Sequence, residues 1–199
     1  MTSRIIVPHR GLESAKTRLA GVLDPEERSD LAARLLRHVL EVAVETGHEV
    51  VVISPDADLA AVVEGAGARL SVQRGMGLNA GLAQARDEAL RDGVTRLAVL
   101  HGDLPALTPP DVAALLDGAP EPGPAVAIAP DAAETGTNGL ALAPPEVIGF
   151  HFGQGSLLAH RGAAKRAGAW LTMVRRPGLA FDIDTPADLA AWLARGRVA

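Results

Sequence analysis

Short apolar runs that stop abruptly at glycine, proline or aspartate punctuate this chain, and the most telling ends in Leu100-His-Gly-Asp-Leu-Pro105. Thr95 to Leu100 reads as a buried strand, with Leu97, Ala98, Val99 and Leu100 in succession, and Gly102 and Pro105 terminate it. Comparable runs at 4–8, 48–54, 69–72, 125–129, 139–143 and 170–174 predict further strands. Helical segments lie between them. Asp24-Pro25-Glu26-Glu27 opens the longest with a capping Asp, Pro at the first helical position and acids at the positive end of the dipole. Leu31, Leu35, Leu36, Val39, Leu40 and Ala43 form its apolar stripe, and Gly47 stops it. Further helices are expected from Pro55 to about Glu64, Asn79 to Arg91, Pro109 to Leu116, after Gly153-Gln-Gly155, and from Pro186 to Ala194. Strands alternating with helices predict an α/β three-layer sandwich around a mostly parallel sheet. Without an internal repeat or a long linker, residues 1–199 are expected to form a single domain.

Composition narrows the function. The chain has no cysteine, which excludes disulfides, thiolate metal sites and a Cys nucleophile. Its N-terminus lacks the layout of a signal peptide, and no apolar run approaches the roughly 20 residues needed to span a bilayer. A cytoplasmic location with no membrane partner is expected. A net charge of −5 and 3% aromatic residues argue against nucleic acid as a partner.

In an open parallel sheet, ligands bind beyond the carboxyl ends of the strands. Asp103 falls at such an end, where a carboxylate can hold Mg²⁺ against a nucleotide phosphate. Thr108, just before Pro109-Pro110, is the better cap for the next helix and leaves Asp103 free. Asp182 and Asp184 alternate about a strand-like Ile183, so both carboxylates point one way and repel unless a cation lies between them. Thr185 and Asp188 fit a capping box and a structural role. Two distant acidic clusters able to converge on one metal point to phosphoryl or nucleotidyl transfer.

The loop after the first strand carries Arg10, Lys16 and Arg18, suited either to gripping a triphosphate or to solvation, and it lacks the Walker A spacing. Gly75 to Gly81 includes Asn79, whose amide can read a base edge or cap a helix. Thr135-Gly-Thr-Asn138, at the end of an expected polar loop over 131–138, and Phe152-Gly-Gln-Gly-Ser156 both offer unobstructed N–H groups and hydroxyls. The second precedes a helix, whose N-terminus favours phosphate or carboxylate, though both also fit a turn and N-cap. His101, His151 and His160 lie near these loops without metal-ligand spacing.

Val7-Pro-x-Arg-x5-Lys-Thr-Arg-Leu19, Gly77-Leu-Asn-Ala80, His101-Gly-Asp-Leu-Pro105, Gly136-Thr-Asn138, Phe152-Gly-x-Gly-Ser156 and Phe181-Asp-Ile-Asp-Thr-Pro186 occur in this order. The ordered set resembles the phosphoenolpyruvate/2-phospho-L-lactate guanylyltransferases of deazaflavin coenzyme F-420 biosynthesis. The resemblance implies a Rossmann-related, glycosyltransferase-A-like nucleotidyltransferase fold, shared with the molybdenum-cofactor nucleotidyltransferases. It implies Mg²⁺ on Asp103, Asp182 and Asp184, with Asp103, Lys16 and Arg18 catalytic. It places the phosphorylated acid on Thr137, Asn138, Gly153 and Ser156, and GTP along Pro8, Arg10, Lys16, Gly77, Asn79 and Gly102. One departure is Arg10, where the family pattern has Lys. The implied reaction is GMP transfer from GTP to phosphoenolpyruvate, or alternatively to 2-phospho-L-lactate, with the product passed to a downstream transferase. A molybdopterin nucleotidyltransferase is disfavoured because the first loop is basic, with Gly11 its one glycine. A non-catalytic GTP-binding module is disfavoured by the presence of all three acids.

Overall fold

Seven strands form one sheet: β1 (Ser3–Pro8), β2 (Glu49–Ser54), β3 (Arg69–Val72), β4 (Arg96–Leu100), β5 (Ala125–Pro130), β6 (Thr137–Ala143) and β7 (Trp170–Met173). Their spatial order in this computed structural model, which describes residues 2–196, is β3-β2-β1-β4-β6-β5-β7. Every neighbouring pair is parallel except the two that involve β6, which runs against both β4 and β5. The helices are α1 (Pro25–Glu45), α2 (Ala60–Gly65), α3 (Leu78–Arg91), α4 (Pro109–Asp117), α5 (Ser156–Arg166), α6 (Pro177–Ala180) and α7 (Pro186–Ala194). Among the described residues, no helix is long and apolar enough to cross a membrane.

Strand alternation sends side chains to two cores. Ile5 and Val7 of β1 meet Leu36, Val39 and Leu40 of α1, Val63 of α2 and Leu115 of α4. Ile6, between them in sequence, joins Leu82 and Ala85 of α3 and Leu157 and Ala163 of α5 on the opposite face. The result is the expected α/β/α layering, with α1, α4, α5 and α7 starting where the sequence signals them; the segment expected to be helical from Pro55 opens instead with a 3-10 turn over Ala57–Leu59 and is α-helical only from Ala60. Asp24 accepts from the Glu27 N–H at 2.9 Å while Glu27 Oε2 accepts from the Asp24 N–H at 2.8 Å.

Two local expectations need correction. Thr137 and Asn138 are not in a polar loop. They are buried residues that open β6, with Thr137 paired to Pro130 and the following Gly139 paired to Leu100. The reversal of β6 is the reason: it brings the beginning of that strand to the edge where β1, β4 and β5 end. The 181–184 segment, expected to be strand-like, joins no ladder. It is extended between α6, which the sequence reading missed, and α7, with the Ile183 N–H near the Asp103 carbonyl at 3.4 Å.

A third, small core does most to place the site. Leu19 from the first loop, Leu31 and Leu35 of α1, Ile183 and Trp192 of α7 pack together. Leu19 sits three residues after Lys16, and Ile183 sits between Asp182 and Asp184, so one apolar cluster brings chemistry from both ends of the chain together. Ile183 is fully buried, so Ile183→Ala is expected to lower stability by about 2–5 kcal/mol. Urea unfolding would measure this, and a cost near zero would show that the cluster does not hold the segment.

Candidate functional site

The site lies along the edge formed by the ends of β1 and β4 and the start of β6. Past β1, the Gly11 N–H donates to His9 Nδ1 at 3.1 Å, turning the chain. Gly11 has φ +98°, a conformation that favours glycine, and a Cβ there would press on the Asp56 side chain, meeting Oδ2 at 2.9 Å. The loop then carries Lys16 into a left-handed backbone conformation (φ 54°, ψ 33°), an uncommon state for a side chain of this size. From there the buried Lys16 Nζ reaches Asp103 Oδ2 at 2.5 Å and Asp184 Oδ1 at 3.2 Å. Arg18, mostly exposed, reaches Asp184 Oδ2 at 3.3 Å.

Asp103, Asp182 and Asp184 each place a carboxylate oxygen within 4.8 Å of the others. Asp182 is held by Asn138, whose Nδ2 donates to Asp182 Oδ1 at 3.2 Å, while the Asn138 carbonyl accepts from the His101 N–H at 3.0 Å. Burial pushes the Asp182 carboxyl above its ordinary pKa, reinforced by repulsion from Asp103 and Asp184. Burial acts the same way on Asp103, but there the Lys16 ammonium outweighs it and the carboxyl is held below its ordinary value. Lys16 is correspondingly raised, the two carboxylates overcoming the effect of its burial. Asp103 Oδ1 is buried without a hydrogen-bond partner among the described residues. An orphaned carboxylate oxygen beside two further carboxylates is an all-oxygen donor set that suits a hard divalent cation.

The remaining sequence-derived residues divide into two groups. Thr137 lies beside the 152–156 turn through His160, whose Nδ1 is 3.1 Å from Thr137 Oγ1. In that turn Gly153 (φ +132°) and Gly155 (φ +70°) have open space where a Cβ would project, and buried Ser156 begins α5. Pro8 ends β1, Arg10 is exposed in the first loop, and Gly77 precedes α3 at φ +88°. Gly102 turns tightly against the core, where a Cβ would come within 3.2 Å of Leu36.

Asn79 is not the helix cap, a position held by Gly77. It is the second residue of α3, and its amide is committed to the Phe152 backbone: Nδ2 donates to the Phe152 carbonyl at 3.0 Å and Oδ1 accepts from the Phe152 N–H at 2.9 Å. The amide therefore clasps the 77–79 segment to the 152–156 turn. The sequence reading also missed half-buried His9 and fully buried His160 as neutral histidines. His9 is lowered to about 4 by burial, with the neighbouring Asp103 charge opposing. His160, fully buried, is lowered to about 4 chiefly by desolvation. The one signal for His160 was its position four residues beyond Ser156, one helical turn along the same face.

The family model described as "Guanylyl transferase CofC like" matches residues 3–198. The chain is 44% identical over 194 residues to the phosphoenolpyruvate guanylyltransferase of Rubrobacter xylanophilus, covering 97% of this chain and 94% of that protein. It is 44% identical over 191 residues to the protein of the same name from Sphaerobacter thermophilus, covering 95% and 91%. Among solved structures, one from Desulfovibrio desulfuricans G20, described as a nucleotide-diphospho-sugar transferase, superposes with a TM-score of 0.81 at 21% identity, covering 98% of this chain and 88% of that one. The fold is thus the glycosyltransferase-A-like nucleotidyltransferase fold.

The buried histidines make a pH prediction. An unfolded chain protonates histidine near 6.5, whereas folded His9 and His160 stay neutral until about 4. The unfolded state therefore binds more protons in that window, and stability falls as the pH drops through it. Urea unfolding at a series of pH values should show the decline, with a shallower slope in His160→Gln. A flat profile between these limits would contradict the lowered pKa of both rings.

Proposed function

The chain belongs to the CofC-like guanylyl transferase family, and from that premise we propose that it transfers GMP from GTP to phosphoenolpyruvate, releasing pyrophosphate. The reaction would serve deazaflavin coenzyme F-420 biosynthesis, carried out by one domain of residues 1–199 in the cytoplasm, with the product passed to a downstream transferase. One observation carries the chemistry. Three converging carboxylates and a buried ammonium stand on the same sheet edge as Thr137 and the turn that leads into α5.

An acceptor phosphate, with a second pKa of roughly 6, is largely dianionic at neutral pH and needs no general base. One of its oxygens attacks the α-phosphorus of GTP. The bond from that phosphorus to the oxygen bridging it to the β-phosphate breaks, and pyrophosphate leaves with the electron pair. The obstacle is the approach of two polyanions, so the protein's task is alignment and charge neutralisation. Lys16, held between Asp103 and Asp184, presents its ammonium to the polyphosphate, and Arg10 and Arg18 add charge from the exposed part of the loop. Thr137, Asn138, Gly153 and Ser156 form the acceptor side, where N–H and hydroxyl donors meet the acid's oxygens. Pro8, Gly77, Asn79 and Gly102 shape the nucleotide side, Asn79 by fixing its border with the acceptor turn. Mg²⁺ on Asp103, Asp182 and Asp184 would neutralise the triphosphate and make its α-phosphorus more electrophilic.

The test is pyrophosphate release from GTP and Mg²⁺ with phosphoenolpyruvate and 2-phospho-L-lactate offered separately, the downstream transferase and its deazaflavin acceptor being present. Faster release with phosphoenolpyruvate is expected, and silence with both acids would overturn the proposal. Asp103→Ala should lower turnover by about 10²-fold or more while far-UV circular dichroism stays unchanged. Retained turnover would remove Asp103 from the chemistry.

A further inference from the structure

We propose that His160 is a positioning residue of the acceptor site: it fixes the Thr137 hydroxyl as a donor toward the bound acid and pins the backbone entering Gly153. The inference rests on the reading of Thr137, Gly153 and Ser156 as the acceptor side. His160 Nε2 faces the backbone N–H of His151 at 3.0 Å, and that N–H can only donate. Nε2 is therefore the acceptor nitrogen, and the proton of the neutral ring sits on Nδ1. Nδ1 in turn faces Thr137 Oγ1 at 3.1 Å, so Nδ1–H donates and the hydroxyl accepts. The hydroxyl's own proton must then point away from His160, and no second side-chain partner takes it among the described residues. With one lone pair taken by Nδ1–H, the hydroxyl keeps its proton for another acceptor, the polarity that a phosphate or carboxylate oxygen requires.

The ring has little freedom to abandon this arrangement. It is fully buried, with Phe152 set edge-on at 4.8 Å and the His151 ring at 5.9 Å. Burial also keeps it uncharged at neutral pH, aided by His151 and His101. The turn is gripped at consecutive residues: His151 by His160, and Phe152 by the Asn79 clasp. Gly153 follows directly, at φ +132° with open space beyond its α-carbon. The acceptor side is thus oriented from α5 and α3, two packed helices, and not from a self-supporting loop.

Two variants separate the halves of the role. His160→Asn keeps a donor near Nδ1 and loses the acceptor, whereas His160→Gln keeps an acceptor near Nε2 and loses the donor to Thr137. Each folded variant is expected to raise KM for the acceptor acid about tenfold, from one broken buried hydrogen bond, and to leave KM for GTP unchanged. An unchanged acceptor KM in a folded variant, or an equal rise for both substrates, would overturn the proposal. Should both variants fail to fold, Thr137→Val should show the same selective rise, and an unchanged acceptor KM there would overturn it. Independently, long-range ¹⁵N–¹H spectra of the wild-type protein without substrate should show His160 as the Nδ1–H tautomer, and an Nε2–H tautomer would refute it. Absence of transfer by the wild-type enzyme would strike the functional reading instead, and the tautomer would still decide the positioning.

Discussion

The contact between Lys16 and Asp103 is the interaction on which the rest of the site depends. Three carboxylates within 4.8 Å of one another repel, and like charges about 4 Å apart cost about 4 kcal/mol per pair at an effective dielectric of 20. The ammonium between Asp103 and Asp184 offsets that repulsion inside the protein. To reach this position the backbone at Lys16 takes a left-handed conformation, which the surrounding structure must sustain. Leu19, three residues on, supplies the anchor, since it is fully buried with Ile183 and Trp192. The small core thus holds a cationic loop and an acidic segment in contact, and the carboxylate left least compensated is Asp182, the one whose pKa is pushed up.

Topology explains why the two substrates can meet. The parallel strands β1 and β4 deliver the first loop and Asp103 to one edge, the expected place for a ligand in such a sheet. The antiparallel strand β6 delivers the beginning of its own sequence to that same edge, so Thr137 and Asn138 arrive beside His101 and Asp182. A parallel strand in that slot would carry them to the opposite edge. The 77–79 segment and the 152–156 turn are joined by the hydrogen bonds of Asn79 to the Phe152 backbone, and the same turn is tied to α5 by His160 and the His151 N–H.

Much of this was legible in the sequence because it is local. The Asp24–Glu27 and Thr185–Asp188 boxes, the apolar stripe of α1 and the abrupt end of β4 are governed by neighbours a few residues away. The alternation of Asp182 and Asp184 about Ile183 correctly put both carboxylates on one side, although the segment joins no sheet. What the sequence concealed is long-range. The direction of β6 depends on which strand it pairs with. The Asn79 clasp spans 73 residues and the Lys16–Asp184 contact 168, and neither leaves a periodic trace. His160 was passed over because its partners are a backbone N–H and a threonine, which no metal-ligand spacing describes. The resemblance to guanylyltransferases supplied the substrates, which none of these contacts names.

Asp103, Asp182 and Asp184 are proposed to act together as the cation-holding part of a nucleotidyl transfer site. Titration with Mn²⁺ followed by electron paramagnetic resonance, with GTP present, tests this joint role most directly in the wild type and in Asp103→Asn, Asp182→Asn and Asp184→Asn. Bound Mn²⁺ is expected in the wild type, with affinity lower by more than about tenfold in each variant. Wild-type protein that leaves Mn²⁺ affinity at the level of GTP alone, or variants that bind it undiminished, would contradict it.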